Sequence, residues 1–264
     1  MTRKAIIMKL DARSWLAGGL ALLSGAFCNA YAQTQDVSVT DERPIAKAIE
    51  KLERLYRVPI TYEDTLYLNA NHFVDVTEAV RLDHGTGNNP QRVLVPARRT
   101  ITLGLPENQS GIATRSEPER SAAAFAAVKN MLDTYALGGG AGAFTVSEDS
   151  SGLHVVSRAF VDASGRPQTL KPALETRISL SQKGPALAVI EEICRQISSG
   201  GGVVDVGTVP VNLLANRQVS VDARNEVARD VLESISKQIA VPLSWQLFCD
   251  PGDGGCALNM HVVQ

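Results

Sequence analysis

The sequence has few of the residues that usually carry chemistry or bind metals. Its 264 residues include 4 His, 4 Cys and 2 Trp, and only 5% of them are aromatic. None of the histidines (His72, His84, His154 and His261) lies three or four residues from another His or from a Cys, the spacing typical of zinc sites. His154 and His261 fall in matching strands of two predicted hairpins, which favours exposed or edge positions. The sequence therefore predicts no catalytic residue, no metal ligand and no cofactor, and we expect a protein that is not an enzyme.

An excess of positive charge is also missing. The 26 Lys and Arg residues are balanced by 28 Asp and Glu residues, which gives a net charge of -2. Binding to phosphate backbones needs a basic face, so this balance argues against nucleic acid as the main partner. The 44% hydrophobic and 20% charged content is typical of a globular protein, and the length suits one large domain or two ordinary ones.

Long apolar runs are missing except near the N-terminus. Four basic residues there accompany a thirteen-residue apolar run from Trp15 to Phe27, and Ala30-Tyr31-Ala32 supplies the small residues that signal peptidase reads. A retained membrane anchor is the alternative, but the run is short for a bilayer span. We predict a signal peptide over residues 1–32, cleaved after Ala32. The mature protein would then be periplasmic or secreted, with no integral membrane span.

The cysteines become informative once export is assumed. Cys249 and Cys256 bracket the turn-like segment CDPGDGGC between two predicted strands. In an oxidising compartment such a pair is expected to form a disulfide. A zinc site is a weaker interpretation, because no His lies near the two thiols. Cys194 lies on the apolar stripe of a predicted helix, which favours a buried, unreactive thiol.

An internal repeat organises the remaining sequence. The segment from Val219 to Trp245 reads VSVDARNEVARDVLESISKQIAVPLSW, and the segment from Val37 to Tyr62 reads VSVTDERPIAKAIEKLERLYRVPITY. Each contains an alternating strand, an amphipathic helix and a second strand. Tyr62 and Trp245 fall at matching positions, which predicts that both rings pack in the core.

The order of predicted elements is the same in both halves, namely β-α-β followed by β-α-β-β. This predicts an α+β fold with two tandem domains, each with small mixed sheets packed on two helices. The first domain spans 33–160 and carries an insertion at 64–99. The linker spans 161–174 and the second domain 175–264. Within the insertion, HFVDV and RVLV are predicted as short strands around a turn-rich loop.

This order resembles the STN domain, the short N-terminal periplasmic domain of secretins and of signalling TonB-dependent receptors. Residues 176–263 carry most of the resemblance and residues 36–160 match more loosely. The matching segments are ISLSQKGPALAVIEEICRQI, GGVVDV, RQVSVDARNEVARDVLESISKQIAVPLSWQLF and ALNMHVV. The resemblance implies a non-catalytic docking module whose strand edges contact partner proteins.

The resemblance therefore predicts an exported protein–protein interaction module, an adaptor of an envelope-spanning secretion, pilus or uptake system. Its partners would be envelope proteins. The edge-strand positions selected for the partner-binding edge are Gln218, Ser220 and Asp222.

Two other functions remain open. One is a small-ligand-binding protein or hydrolase with a cleft between the halves, which predicts converging polar groups near 161–174. The adaptor instead predicts a dry junction and exposed backbone edges. The other is a self-assembling structural envelope protein, because the repeat permits a homo-oligomer.

Isolated motifs give little support to an enzyme. The glycine runs Gly138–Gly142 and Gly200–Gly202 follow predicted helices, whereas a phosphate cradle precedes a helix. Ser234 and Lys237 have the Ser-x-x-Lys spacing of some acyl-transfer enzymes. They lie well inside a predicted helix and have no accompanying motifs, so we interpret both as ordinary helix residues.

Overall fold

The computed structural model describes residues 34–84, 92–106, 109, 111–200, 203–252 and 254–264. The predicted signal peptide lies outside these residues. In the described part the fold is α+β, as predicted, and no helix there is long and apolar enough to cross a membrane.

The elements of the first half are β1 (Thr34–Asp41), α1 (Pro44–Tyr56), β2 (Ile60–Glu63), β3 (Phe73–Asp75), α2 (Thr77–His84), β4 (Leu94–Pro96), β5 (Arg99–Pro106), α3 (Glu117–Leu137), β6 (Gly142–Asp149) and β7 (Gly152–Val161). They are followed by β8 (Pro167–Thr169), β9 (Arg177–Pro185), α4 (Ala186–Ser199), β10 (Val204–Val206), α5 (Val211–Asn216), β11 (Gln218–Val227), α6 (Ala228–Gln238), β12 (Leu243–Cys249) and β13 (Cys256–Val262).

Local sequence explains how the first long helix begins and ends. Pro44 occupies the first turn of α1, where its missing N–H would have no helical acceptor. The apolar side chains recur at helical spacing and are buried, whereas Lys47 on the opposite face is exposed. Arg57 ends the helix in the left-handed region with φ 53°, and its N–H donates to the Glu53 carbonyl at 2.7 Å.

Strands pair in the same way in both halves. In the first half β1 and β5 form an antiparallel ribbon, β2 pairs parallel with β7, and β6 pairs antiparallel with β7. In the second half β9 and β11 form a ribbon, β10 pairs parallel with β13, and β12 pairs antiparallel with β13. We call β1–β5 the first ribbon and β9–β11 the second ribbon. One face of each is buried, as the alternating exposure along β11 shows.

The two halves share one sheet, which the sequence did not predict. Strand β2 pairs parallel with β12, with Tyr62 opposite Gln246 and Glu63 opposite Leu247. This joins the strands into a seven-stranded sheet in the order β10-β13-β12-β2-β7-β6, with β8 attached to β7. Each half still has its own hydrophobic cluster. The boundary between two domains at 161–174 therefore stays a prediction.

Segments without clear periodicity contain more structure than expected. Strands β3 and β4 of the insertion pair antiparallel, in agreement with the two predicted strands. The helix α2 between them was not predicted. It begins at Thr77, whose N–H donates to the Asp75 carboxylate at 3.0 Å. Hydrophobic periodicity alone does not indicate this local hydrogen bond. The segment 161–174 contains β8 and the start of a 3-10 turn at Ala173–Glu175, and α5 precedes β11.

The core and disulfide predictions are confirmed. Tyr62 and Trp245 are each 1% exposed. Cys249 and Cys256 are opposite each other in the β12–β13 hairpin and form a disulfide. Cys194 is a free, buried thiol, and burial raises its pKa to about 12, so it remains protonated and unreactive.

Candidate functional site

The junction between the halves is polar. The Asp64 side chain is fully buried there and accepts hydrogen bonds from both halves. Burial, together with the Asp64 carboxylate, raises the pKa of Tyr62 and Tyr67 well above that of an ordinary phenol, which keeps both hydroxyls as donors. The donors to Asp64 are Arg43 Nε at 2.8 Å, Tyr62 Oη at 2.7 Å, Tyr67 Oη at 2.7 Å, the Thr65 N–H at 2.9 Å and the Cys249 N–H at 3.3 Å.

Ion pairs and a cavity continue this polar junction. Arg229 on α6 donates to the buried Glu63 carboxylate at 2.5 Å. His261 on β13 lies 2.7 Å from the Glu53 carboxylate. A cavity of about 390 Å³ lies beside the segment 170–176 and is lined partly by Glu63 and Asp64. The adaptor interpretation predicted a dry junction, and this expectation is wrong.

A second cavity in the junction, of about 410 Å³, lies beside a group of three titratable side chains. Its walls come from the β6–β7 turn, the end of α1, the start of α3, the end of α6 and the start of β12. Asp149 and His154 line it, and Glu233 on α6 lies beside them. One ligand atom from each of the three lies within 4.8 Å of the others. We call these three residues the junction triad.

The histidine is the centre of the junction triad. His154 Nε2 lies 3.2 Å from Asp149 Oδ1 and 3.4 Å from Glu233 Oε1, and the His154 side chain is 5% exposed. Nε2 makes no hydrogen bond of good geometry to either oxygen. The other ring nitrogen, Nδ1, is 2.8 Å from Thr61 Oγ1. The Trp245 ring lies against the imidazole, with centroids 5.9 Å apart.

The environment separates the protonation states of the three groups. Burial, then the hydrogen bond and charge of Asp149, raises the pKa of Glu233 to about 8. Partial burial acts to raise the pKa of Asp149, but hydrogen bonds from Glu233 and Ser151 outweigh it and hold that pKa well below its ordinary value. Burial lowers the pKa of His154 despite the neighbouring Asp149. At neutral pH the triad therefore combines one shared carboxyl proton with a neutral imidazole.

Backbone geometry fixes the Asp149 side of the triad. Asp149 Oδ1 accepts hydrogen bonds from the Ser151 N–H at 2.6 Å and the Ser151 hydroxyl at 2.5 Å, which closes the turn between β6 and β7. The turn ends at Gly152 with φ 140°, where a Cβ would lie 2.3 Å from the Pro59 carbonyl oxygen. Only glycine can occupy this position without displacing the turn.

The three residues selected from the sequence as a partner-binding edge lie on the outer edge of β11. The side chains of Gln218, Ser220 and Asp222 are exposed and alternate with buried residues. Among the described residues β11 pairs only with β9, so no strand covers its other edge. These residues lie apart from the junction triad, on the second ribbon.

On each strand of the second ribbon, the outward N–H and C=O of one residue are hydrogen-bonded to a glutamine side chain. The Ser220 N–H donates to Gln238 Oε1 at 2.9 Å, and Gln238 Nε2 donates to the Ser220 carbonyl at 3.2 Å. On β9, Gln196 makes the same two contacts with Ser179, at 3.2 and 3.0 Å. Because pairs alternate in an antiparallel ladder, the N–H and C=O groups of every second residue point outward, including those of Gln218 and Asp222.

The remaining sequence candidates do not form a site. Ser234 donates its hydroxyl to the Val231 carbonyl at 2.8 Å, within helix α6, so the Ser-x-x-Lys spacing has no activated nucleophile. The expectation of an exposed or edge position for His154 is wrong. Strand β7 pairs with β2 on one side and β6 on the other, which makes it an interior strand. His261 is half-buried at the Glu53 carboxylate.

Sequence reasoning missed the junction triad. Part of it could have been found, because Asp149 and His154 lie on opposite sides of a tight predicted hairpin and must be close together. No local pattern indicates Glu233, which is more than 75 residues away and lies at the flank of an otherwise ordinary amphipathic helix. Its position depends on how α6 packs beside the first half.

Comparisons of this chain with protein-family models, with curated proteins and with solved structures found no match. The resemblance to STN domains therefore depends on the hydrophobic pattern and on the order of the elements. Function has to be argued from the ribbon edges and the junction triad themselves.

Proposed function

We propose that the chain is an exported protein–protein interaction module whose second ribbon adds a strand from an envelope protein. The observation that carries this proposal is the outer edge of β11, where exposed and buried side chains alternate and no described strand pairs. In strand addition the main-chain hydrogen bonds supply affinity and alternate side chains supply specificity. Gln218 and Asp222 would contribute main-chain hydrogen bonds for affinity and side-chain contacts for specificity.

The disulfide and the family resemblance support the same proposal. A disulfide between Cys249 and Cys256 suits an oxidising compartment, which supports export. Cleavage of the predicted signal peptide after Ala32 is part of the same proposal. The order β-α-β followed by β-α-β-β resembles that of STN domains, which act as docking modules in secretins and TonB-dependent receptors. An adaptor of an envelope-spanning secretion, pilus or uptake system is the role that fits both features.

A proline at Asp222 tests the edge directly. Asp222 is opposite Ser181 in an outward-pointing pair, so its N–H makes no bond to β9 and a proline there leaves the ribbon ladder intact. We expect Asp222→Pro to reduce capture of the partner from crosslinked envelopes at least ~10-fold, the cost of about one lost main-chain hydrogen bond. Asp222→Asn keeps the N–H, so it should capture the partner better than Asp222→Pro does.

Gln238, whose side chain is hydrogen-bonded to the backbone of Ser220, allows the opposite test. Gln238→Ala frees the outward N–H and C=O of Ser220 for a partner strand. Partner capture should rise or stay equal, whereas Asp222→Pro lowers it. Wild-type capture by a folded Asp222→Pro variant would contradict docking at this edge, and thermal unfolding of each variant establishes that it is folded.

A small-ligand-binding protein or hydrolase is the second candidate. The observation that favours it is the 410 Å³ cavity between the halves, into which Asp149, His154 and Trp245 face as lining residues. This size and the few polar side chains on its walls are typical of small-molecule sites. A thermal-shift screen of metabolites tests it. A hit should lose affinity in Lys237→Ala, which changes an exposed residue of the cavity wall, whereas Asp222→Pro should leave the shift unchanged.

A further inference from the structure

The spacing of the junction triad matches that of ligands around one metal ion. His154 Nε2 is 3.2 Å from Asp149 Oδ1 and 3.4 Å from Glu233 Oε1. Tetrahedral zinc with bonds of about 2.0–2.2 Å to nitrogen and oxygen separates its ligand atoms by ~3.4 Å. We propose that Asp149, His154 and Glu233 bind one divalent transition-metal ion, with Zn²⁺ as the best fit. This inference is independent of docking at the second ribbon.

The contacts of the second ring nitrogen allow His154 to act as a metal ligand. The Thr61 hydroxyl lies 2.8 Å from His154 Nδ1 and 3.4 Å from the Leu153 carbonyl, so it can accept a hydrogen bond from Nδ1 while it donates to that carbonyl. In the tautomer with the proton on Nδ1, Nε2 carries the lone pair that a metal ion requires. Orienting a ligating histidine through its second nitrogen is a general property of metal sites. Thr61 is therefore a positioning residue for the ion.

Burial provides an observation independent of the spacing. The His154 side chain is 5% exposed, yet its Nε2 has no hydrogen bond of good geometry. A buried polar atom without a partner costs about 1–3 kcal/mol, so such atoms usually have a ligand or another unseen partner. Asp149 and Glu233 each place a carboxyl oxygen within 3.4 Å of Nε2, and Glu233 is only 10% exposed. A cation between these three groups would give His154 Nε2 the partner that it lacks.

The surroundings leave room for a fourth ligand and a route for the ion. Asp149 is 36% exposed at the side chain and lies on the wall of the 410 Å³ cavity. Three protein ligands with one open position form the arrangement that zinc adopts where water or a small molecule also binds. Because β6 and β7 belong to the first half and α6 to the second, the ion would link the two halves.

Metal titration of tag-free protein, stripped with a chelator, tests the site. Calorimetry with ZnCl₂ should show one equivalent bound at micromolar or lower Kd. The isosteric variants Glu233→Gln and Asp149→Asn should each weaken binding at least ~100-fold, because a lost ligand costs no less than a lost second-shell partner. His261→Gln removes a histidine that also lies 2.7 Å from a carboxylate, outside the triad, and should bind as the wild type does.

Thr61 variants and a spectroscopic measurement separate a metal site from a structural effect. Thr61→Val should weaken Zn²⁺ binding ~10–100-fold, and Thr61→Ser should restore it. X-ray absorption of the zinc-loaded protein should show one imidazole and otherwise oxygen ligands at about 2.0–2.2 Å. Absence of Zn²⁺ binding at 100 µM would overturn the proposal. Equal binding by a folded Glu233→Gln variant would also overturn it, since the ion would then lie elsewhere.

Discussion

The buried Asp64 carboxylate provides the sharpest prediction about stability. Oδ1 accepts three hydrogen bonds, and Oδ2 accepts those from Arg43 Nε and the Cys249 N–H. In Asp64→Asn one oxygen becomes an NH₂ group, so at least two buried donors lose their acceptor whichever way the amide is turned. Each loss costs about 1–3 kcal/mol, and breaking a buried ion pair costs about 3–5 kcal/mol.

These costs overlap, so we expect Asp64→Asn to lower the free energy of unfolding by ~3–5 kcal/mol. Urea denaturation followed by tryptophan fluorescence measures it. Asp133→Asn is the matched control, since its ion pair with Lys129 is about two-thirds exposed and should change stability by less than ~0.5 kcal/mol. A loss below ~1 kcal/mol for Asp64→Asn would refute the role assigned to this junction. If Asp64→Asn fails to fold, Arg43→Lys gives a milder measurement of the same contact.

Two further predictions concern the disulfide and the pH dependence of stability. Replacing Cys249 and Cys256, which are seven residues apart, with Ser should cost ~2.5 kcal/mol in the chain-entropy model, measured by urea denaturation, and an unchanged midpoint would contradict this. The hydrogen bond to Glu53 raises the pKa of His261, although burial opposes it, and the charges of Glu53 and Glu50 add to the rise. The stabilisation that protonated His261 contributes by pairing with Glu53 is therefore fully present below the pKa of about 6.5 that His261 has in the unfolded chain. It is lost as the pH rises through the higher pKa of the folded state. The stability difference between wild type and His261→Gln should shrink between pH 6 and pH 8.5, and a difference that does not change with pH would contradict the pairing.

Local sequence predicted most of the individual elements. Helix α1 has a proline at its first turn and a regular apolar stripe, both of which are visible in the sequence. The cysteine pair was predicted from a short turn between two strands, because that geometry brings cross-strand neighbours together. Patterns of this kind act over a few residues, so the sequence shows them directly.

The joining of the two halves was not predicted, because it depends on contacts between distant segments. The parallel pairing of β2 with β12 places Glu63 beside Leu247, and nothing in either strand indicates the other as its neighbour. The same pairing buries Asp64 and places α6 beside the β6–β7 hairpin. Glu233 is a ligand candidate only because of that packing. A search for ligand spacing along the chain therefore could not have found the junction triad.

The most direct test of the proposed docking edge is photo-crosslinking in intact cells. A photoreactive amino acid replaces Asp222 on the outer edge of β11, and a control replaces Lys129, which is exposed on α3. The docking proposal predicts that position 222 crosslinks to a specific envelope protein and that position 129 does not. Mass spectrometry identifies the product. No crosslink at position 222, or the same products from both positions, would contradict docking at this edge.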